Sequence, residues 1–291
     1  ADFPDKVKLY DIGDTVNGRD LLFWKISDNV DIEEAEPEVM LESTIHGDET
    51  VGMILLMRFA RELLELYGTD NEFGERATNI IDNTELWIMP DMNPDGTYYG
   101  GNSTVNNARR GNANGVDINR NFPDPVAGNH PDGNNWQLET IAMMDFCENM
   151  HFVLSANYHG GVELFNLPWD HQAGLHPDTE WYKEVSRVLV ANIQTNSPAG
   201  YMDDVAYQYN PNPDFPPEPG ITNGYGWYDV YGGRQDWMTY FKKGREFTVE
   251  LSDIHNPASS QLPTFWNSNR EALYMFVEES MKGLKGIVKN T

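Results

Sequence analysis

Short apolar runs of strand character alternate with amphipathic helical patterns along this 291-residue chain, so the sequence predicts an α/β protein. The expected form is a three-layer α/β/α sandwich around a mixed, twisted central sheet. Three observations carry that expectation. Val39 to Ile45, Glu85 to Met89, Phe152 to Tyr158 and Phe247 to Leu251 are short runs separated by longer segments of helical period. No internal Pro/Gly/Ser linker divides the chain, which argues for one domain with one large core. Several runs also stop at a polar residue, at Ile45-His46, Tyr158-His159 and Val249-Glu250. In open α/β sheets, sites form beyond the carboxyl ends of strands.

Taken in order, Val7 to Ile12 and Leu21 to Ser27 alternate as strands around Asn17-Gly18, a strong hairpin signal. The apolar-rich stretch from Glu49 to Leu66 reads as a helix, as do Leu138 to Glu148 and Phe265 to Met281. Asp178 to Ile193 is amphipathic, with His176-Pro177-Asp178 supplying its start. Between Asn93 and Asn135 the chain is dense in Asn, Gly, Asp and Pro, yet it includes Val116-Asp117-Ile118-Asn119-Arg120-Asn121-Phe122. That mixture predicts an ordered, site-lining loop. The Pro-rich stretch from Asn210 to Gly220 reads as an ordered surface loop.

A net charge of −26 and a pI near 4.4 argue against nucleic acid and anionic membranes as partners, because both need Lys and Arg to offset phosphate. No run of about 18 apolar residues exists that could span a bilayer. The acidity suits cationic substrates, or solubility in salty or extracellular surroundings. Cys147 is the only cysteine and falls in an apolar helical pattern, so it reads as a core thiol. A start at Ala1-Asp2-Phe3-Pro4 suits a processed N-terminus. The expectation is a monomer, secreted or periplasmic.

His46-Gly47-Asp48-Glu49 sits on a strand-to-helix turn, where His46 and Glu49 can converge on one ion. Imidazole and carboxylate are what catalytic Zn²⁺ accepts, with three protein ligands and one position left for water. His159, in Asn157-Tyr158-His159-Gly160-Gly161, is the best third ligand. His130, His151, His171, His176 and His255 lack strand-end placement or ligand spacing and read as structural.

These residues do not stand alone. The motifs His46-Gly47-Asp48-Glu49, Asn93-Pro94-Asp95-Gly96, Gly115 to Pro123, Tyr158-His159-Gly160-Gly161, Gly232-Gly233-Arg234-Gln235-Asp236-Trp237 and Phe247-Thr248-Val249-Glu250-Leu251 occur in order. With them the chain resembles the zinc metallocarboxypeptidases, over nearly its whole length. Within that family it is closest to the subgroup of carboxypeptidases N, E, M and D.

The resemblance implies one Zn²⁺ held by His46, Glu49 and His159, and Glu250 as general base. The alternative for Glu250 is a carboxylate capping the sheet, an expensive choice within so apolar a strand. Arg110 matches the oxyanion-polarising arginine, and adjacent Arg109 reads as a solvated neighbour. Asn119 and Arg120 match the grip on the substrate's terminal carboxylate, which suits a planar guanidinium fork. Tyr228 matches a mobile tyrosine that closes over substrate; its alternative is a packed aromatic among Tyr225, Trp227 and Tyr231. Asp117 is expected to orient His46, since metal-bound imidazoles donate their second N–H to a carboxylate.

For specificity, Asp170 matches the aspartate that receives a C-terminal Lys or Arg side chain, with Gln235 on the opposite pocket wall. Its alternative is a solvated loop acid. Arg234 departs from the subgroup, which has an uncharged residue there. Inside the pocket it would neutralise Asp170.

The implied activity is release of Lys or Arg from peptide or protein C-termini. One alternative is a zinc amidase or carboxypeptidase for non-basic or cell-wall peptide termini. Another, of a different class, is an inactive peptide-binding domain. Residues 1–282 are read as the catalytic domain. Gly283-Leu284-Lys285-Gly286-Ile287-Val288 resembles the opening strand of the β-sandwich domain that follows it in this subgroup.

Overall fold

In a computed structural model describing residues 3–283, the Asn17-Gly18 turn joins β1 (Val7–Asp14) to β2 (Asp20–Ile26) as an antiparallel pair. Gly18 adopts φ 73°, a conformation open to glycine at little cost. The chain then forms β3 (Glu38–Ser43), α1 (Val51–Leu66), α2 (Glu72–Ile81) and β4 (Glu85–Met89). A single helical turn, α3 (Pro94–Thr97), opens the long Asn/Gly-rich region, which also contains a 3₁₀ turn at Ile118–Arg120 and an isolated antiparallel bridge between Asp124 and Gly128. There follow α4 (Leu138–Phe146), β5 (Phe152–His159), β6 (Glu163–Leu167), α5 (Thr179–Thr195), β7 (Ile221–Asn223) and α6 (Gly224–Trp227). Finally α7 (Arg234–Phe241), β8 (Arg245–Leu251) and α8 (Leu262–Glu279) complete the described chain.

The eight strands form one mixed sheet in the order β1-β2-β4-β3-β5-β8-β6-β7. Its centre, β4-β3-β5-β8, is parallel, while β2 joins β4 and β6 joins β8 antiparallel. Parallel strands must be covered on both faces, and here they are. In β3, Val39 and Leu41 face a core closed by α1, α2, α5 and α8, while Met40 faces a second core with α4 and α7. The three-layer sandwich is therefore the observed architecture.

Helix α1 begins at Val51, because the Glu49 N–H donates to the His46 carbonyl at 3.0 Å and keeps residues 46 to 49 in a turn. Gly52 seats the helix: a Cβ there would lie 2.3 Å from Ser43 Oγ and 2.6 Å from Tyr158 Cβ. The helix thus packs directly on the two strands that lead to His46 and His159. Gly283 is the last described residue, so the expected sandwich strand after it lies outside the described residues.

Candidate active site

The parallel centre of the sheet brings three strand ends to one place. His46 follows the end of β3, His159 ends β5, and Glu250 of β8 is the register partner of His159. Glu49, at the end of the turn after β3, completes the group. His46 Nδ1 lies 2.8 Å from Glu49 Oε1 and 3.1 Å from His159 Nδ1, and His159 Nδ1 lies 2.8 Å from Glu49 Oε2. All three side chains are buried.

Two imidazole nitrogens facing each other across a carboxylate need a cation or a proton between them. His₂Glu is a donor set of catalytic zinc, so these residues fit that ion. Burial lowers the His159 ring to about 4, so it is the neutral, ligating form at neutral pH. Burial opposes ionisation of Glu49 too, yet the flanking His46 and His159 hold its carboxyl well below the usual range. The Gly160 N–H adds a hydrogen bond to Glu49 Oε2 at 3.1 Å.

Around this group lies a cleft of about 200 Å³ lined by Arg110, Asn119, Arg120, Asp170, Tyr228 and Glu250, among others. Glu250 Oε2 is buried and bonded by no described residue. Burial, with the Glu49 charge adding and Arg110 opposing, raises its carboxyl well above the ordinary value. Asp117 bridges two of these parts. Its Oδ1 is 3.2 Å from His46 Nε2, and its Oδ2 accepts from Arg110 Nε at 2.9 Å. Arg110 Nη1 also stands 3.4 Å from Glu49 Oε1. Arg109 turns the other way and stacks on Tyr99, 3.4 Å from the ring centroid.

Asn119 and Arg120 sit on the 3₁₀ turn, and Arg120 Nη1 donates to the Asn119 carbonyl at 2.8 Å. Tyr228 follows the single turn α6, lines the cleft, and remains 36% exposed with Trp227 against its ring. Asp170, far from being a solvated loop acid, is buried. Its Oδ1 accepts from Asn166 Nδ2 and from Gln235 Nε2, each at 3.0 Å. Burial, with Asp236 adding, raises the Asp170 carboxyl well above its usual value.

Gln235 stands elsewhere than the sequence reading put it, and the side of Arg234, which that reading left open, is seen in the fold. Gln235 is not on an opposite wall but behind Asp170, because the first turn of α7 points it at that carboxylate. Arg234 does not enter the cleft. Its guanidinium is 0% exposed, with Nη1 at 2.6 Å from Glu42 Oε2 and 3.2 Å from Glu246 Oε1. Burial pushes the Glu42 carboxyl up to about 8, the Arg234 charge opposing.

Among the cleft residues the sequence reading missed are the polar Asn166 and His255. Asn166 lies on β6, a strand too short to show a pattern, and His255 follows β8 with no partner at ligand spacing. The His255 carbonyl accepts from the Thr50 N–H at 3.0 Å, which holds the ring's loop against the start of α1.

Known proteins resemble this chain in sequence and in fold. The family described as Zinc carboxypeptidase matches residues 1–272. Carboxypeptidase D of Homo sapiens is 37% identical over 298 residues, which cover 99% of this chain and 20% of that protein. Carboxypeptidase N catalytic chain of Mus musculus is 35% identical over 319 residues, covering 98% of this chain and 66% of that one. The chain thus spans about one fifth of the carboxypeptidase D relatives it matches. The crystal structure of carboxypeptidase A from Helicoverpa armigera shares the fold at a TM-score of 0.75 and 18% identity, covering 96% of this chain and 69% of that one. Sheet, donor triad and relatives agree: the chain belongs to the zinc carboxypeptidase family.

Proposed function

We propose that this chain is a secreted or periplasmic metallocarboxypeptidase that hydrolyses the last peptide bond of a polypeptide and releases C-terminal Arg or Lys. The observation that carries the reading is Glu250. It is a buried carboxylate with a free oxygen, facing the cleft that also holds His46, Glu49 and His159.

In this reading those three residues hold one zinc ion, which when bound supplies a Lewis acid and makes water nucleophilic near neutral pH. Glu250 takes the water's proton at its carboxylate and returns it to the departing amine. Arg110 donates to the scissile carbonyl oxygen as negative charge develops there. Asp117 and Glu49 restrain its side chain. Asn119 and Arg120 bind the substrate's terminal carboxylate, and Tyr228 closes over it and adds a hydrogen bond.

Asp170 supports the preference for basic ends. Among the described residues no Lys or Arg forms an ion pair with it, and its Oδ2 accepts no hydrogen bond. The nearby Arg234 is occupied by Glu42 and Glu246. A cationic side chain entering the cleft would supply the missing counter-charge and return the carboxyl to its ionised form.

Matched peptides ending in Arg, Lys, Phe and Glu test the reading on the zinc-loaded protein. Arg and Lys are expected to leave fastest, with Asp170→Asn cutting their advantage about 10²-fold. Faster release of Phe or Glu would favour the amidase or non-basic alternative. No release from any peptide would favour a silent binding domain.

A further inference from the structure

The cleft rests on a buried ionic anchor that none of the roles above uses. Three consecutive residues open α7, and successive helical side chains point about 100° apart, so they reach three different elements. Arg234 goes down into the sheet, to Glu42 of β3 and Glu246 of β8, with Nη2 3.4 Å from Met40 Sδ. Gln235 goes sideways to the Asp170 carboxylate. Asp236 accepts from the backbone N–H of Asp170 at 3.0 Å and of His171 at 2.9 Å, and its carboxylate also meets His171 Nδ1.

The loop that carries Asn119 and Arg120 is fastened to the same turn. The Arg234 N–H donates to Asn119 Oδ1 at 2.8 Å, and the Phe122 N–H donates to the Gly232 carbonyl at 3.0 Å. A Cβ on Gly232 would lie 2.3 Å from the Arg120 carbonyl oxygen, so the two backbones are in direct contact. One helical turn therefore sets the spacing between the carboxylate grip and the side-chain pocket.

Of these ties only the Arg234 side chain fixes the turn to the sheet itself. Both its partners are fully buried. Glu246 is also held by Ser155 Oγ and Asn157 Nδ2, each at 2.8 Å, whereas Glu42 Oε1 is bonded by no described residue. Among the described residues Arg234 is the one side chain hydrogen-bonded to the Glu42 carboxylate. Removing one partner of such a buried pair leaves the other uncompensated, which is costly.

Resting on the pocket reading above, we infer that Arg234 is a positioning residue: through its clamp on Glu42 and Glu246 it holds Asp170 and Asn119 at the separation substrate binding requires. Its charge is spent beneath the sheet, so it fixes the pocket without neutralising it.

Steady-state kinetics on zinc-loaded Arg234→Lys, Arg234→Met and the double variant Glu42→Leu/Arg234→Met test this, each with the peptide the wild type cleaves best. Lysine keeps the charge but loses the planar fork. Arg234→Met alone is expected to lower the melting temperature, and the double variant to recover it. Both Arg234→Lys and the double variant are expected to raise KM about tenfold or more while leaving kcat and zinc content nearly unchanged, since small misplacements of binding groups are expensive. A folded Arg234→Lys or double variant with wild-type KM would overturn the inference and leave the pair a purely structural one. If Arg234→Met alone does not fold, the double variant decides. Should the wild type not favour basic ends, the specificity reading falls, while the KM shift still judges the clamp.

Discussion

Glu250 is the residue whose chemistry is hardest to explain any other way. An unbonded carboxylate in a strand of apolar neighbours costs stability unless it is used. Glu250→Gln is expected to lower kcat about 10²–10⁴-fold while zinc content and peptide binding persist, as equilibrium binding of an uncleaved analogue would measure. Asp117 acts one step away, through His46 Nε2 and Arg110 Nε. Asp117→Asn should weaken zinc about 10–100-fold in competition with a chelator; unchanged affinity would show that His46 needs no such partner. Asp170 gives a pH signature. Burial and Asp236 raise its carboxyl, so acid leaves it neutral and rising pH ionises it. The ratio of Arg to Phe release should therefore climb with pH above the ordinary carboxylate range, and a flat ratio in the wild type would count against Asp170 as the selector.

At the scale of elements, the four central strands were legible because fully buried parallel strands read as unbroken apolar runs, and those runs end where the site begins. The Asn17-Gly18 hairpin was legible from turn chemistry. Strands β6 and β7 were not: five and three residues at one side of the sheet are too few to show a period. Helix α2 was overlooked although Asn71 caps it by accepting from the Gly74 N–H, because polar residues dilute its short apolar face. The first turn of α7 was seen only as part of the Gly232-Gly233-Arg234-Gln235-Asp236-Trp237 motif, and whether Arg234 enters the pocket stayed open, since sequence spacing does not reveal which side of a turn faces a sheet. The site's chain-distant pairings, such as Asp117 with His46, became visible only through the resemblance and the fold. One element-scale prediction follows from α1. Gly52→Val would push Ser43 and Tyr158 away and is expected to cost about 2–4 kcal/mol in chemical denaturation, with loss of zinc affinity as β3 and β5 separate.

For the whole molecule, the half-buried Glu163 bears on stability. Burial, with Asp253 and Asp204 adding, raises its carboxyl to about 7. A carboxyl raised in the folded state stabilises when protonated. Its contribution is complete below the unfolded value and is lost as pH rises through the folded one. The Glu163 contribution should therefore be lost as pH rises from about 5 to about 7, and Glu163→Gln is expected to remove about 1 kcal/mol of that pH-dependent loss, after allowance for solvent screening, in denaturation at the two pH values. Among the described residues no helix is long and apolar enough to cross a membrane. The acidic surface, at net charge −26, adds self-repulsion that salt would relieve.

His46, Glu49 and His159 are expected to close on one ion beside Glu250. Metal analysis combined with release of the terminal residue from an Arg-ending peptide tests this most directly. The expected result is one zinc per chain, activity lost on chelation and restored by added zinc, and neither zinc nor restoration in His159→Ala. Undiminished release after chelation, or full zinc content in His159→Ala, would contradict it.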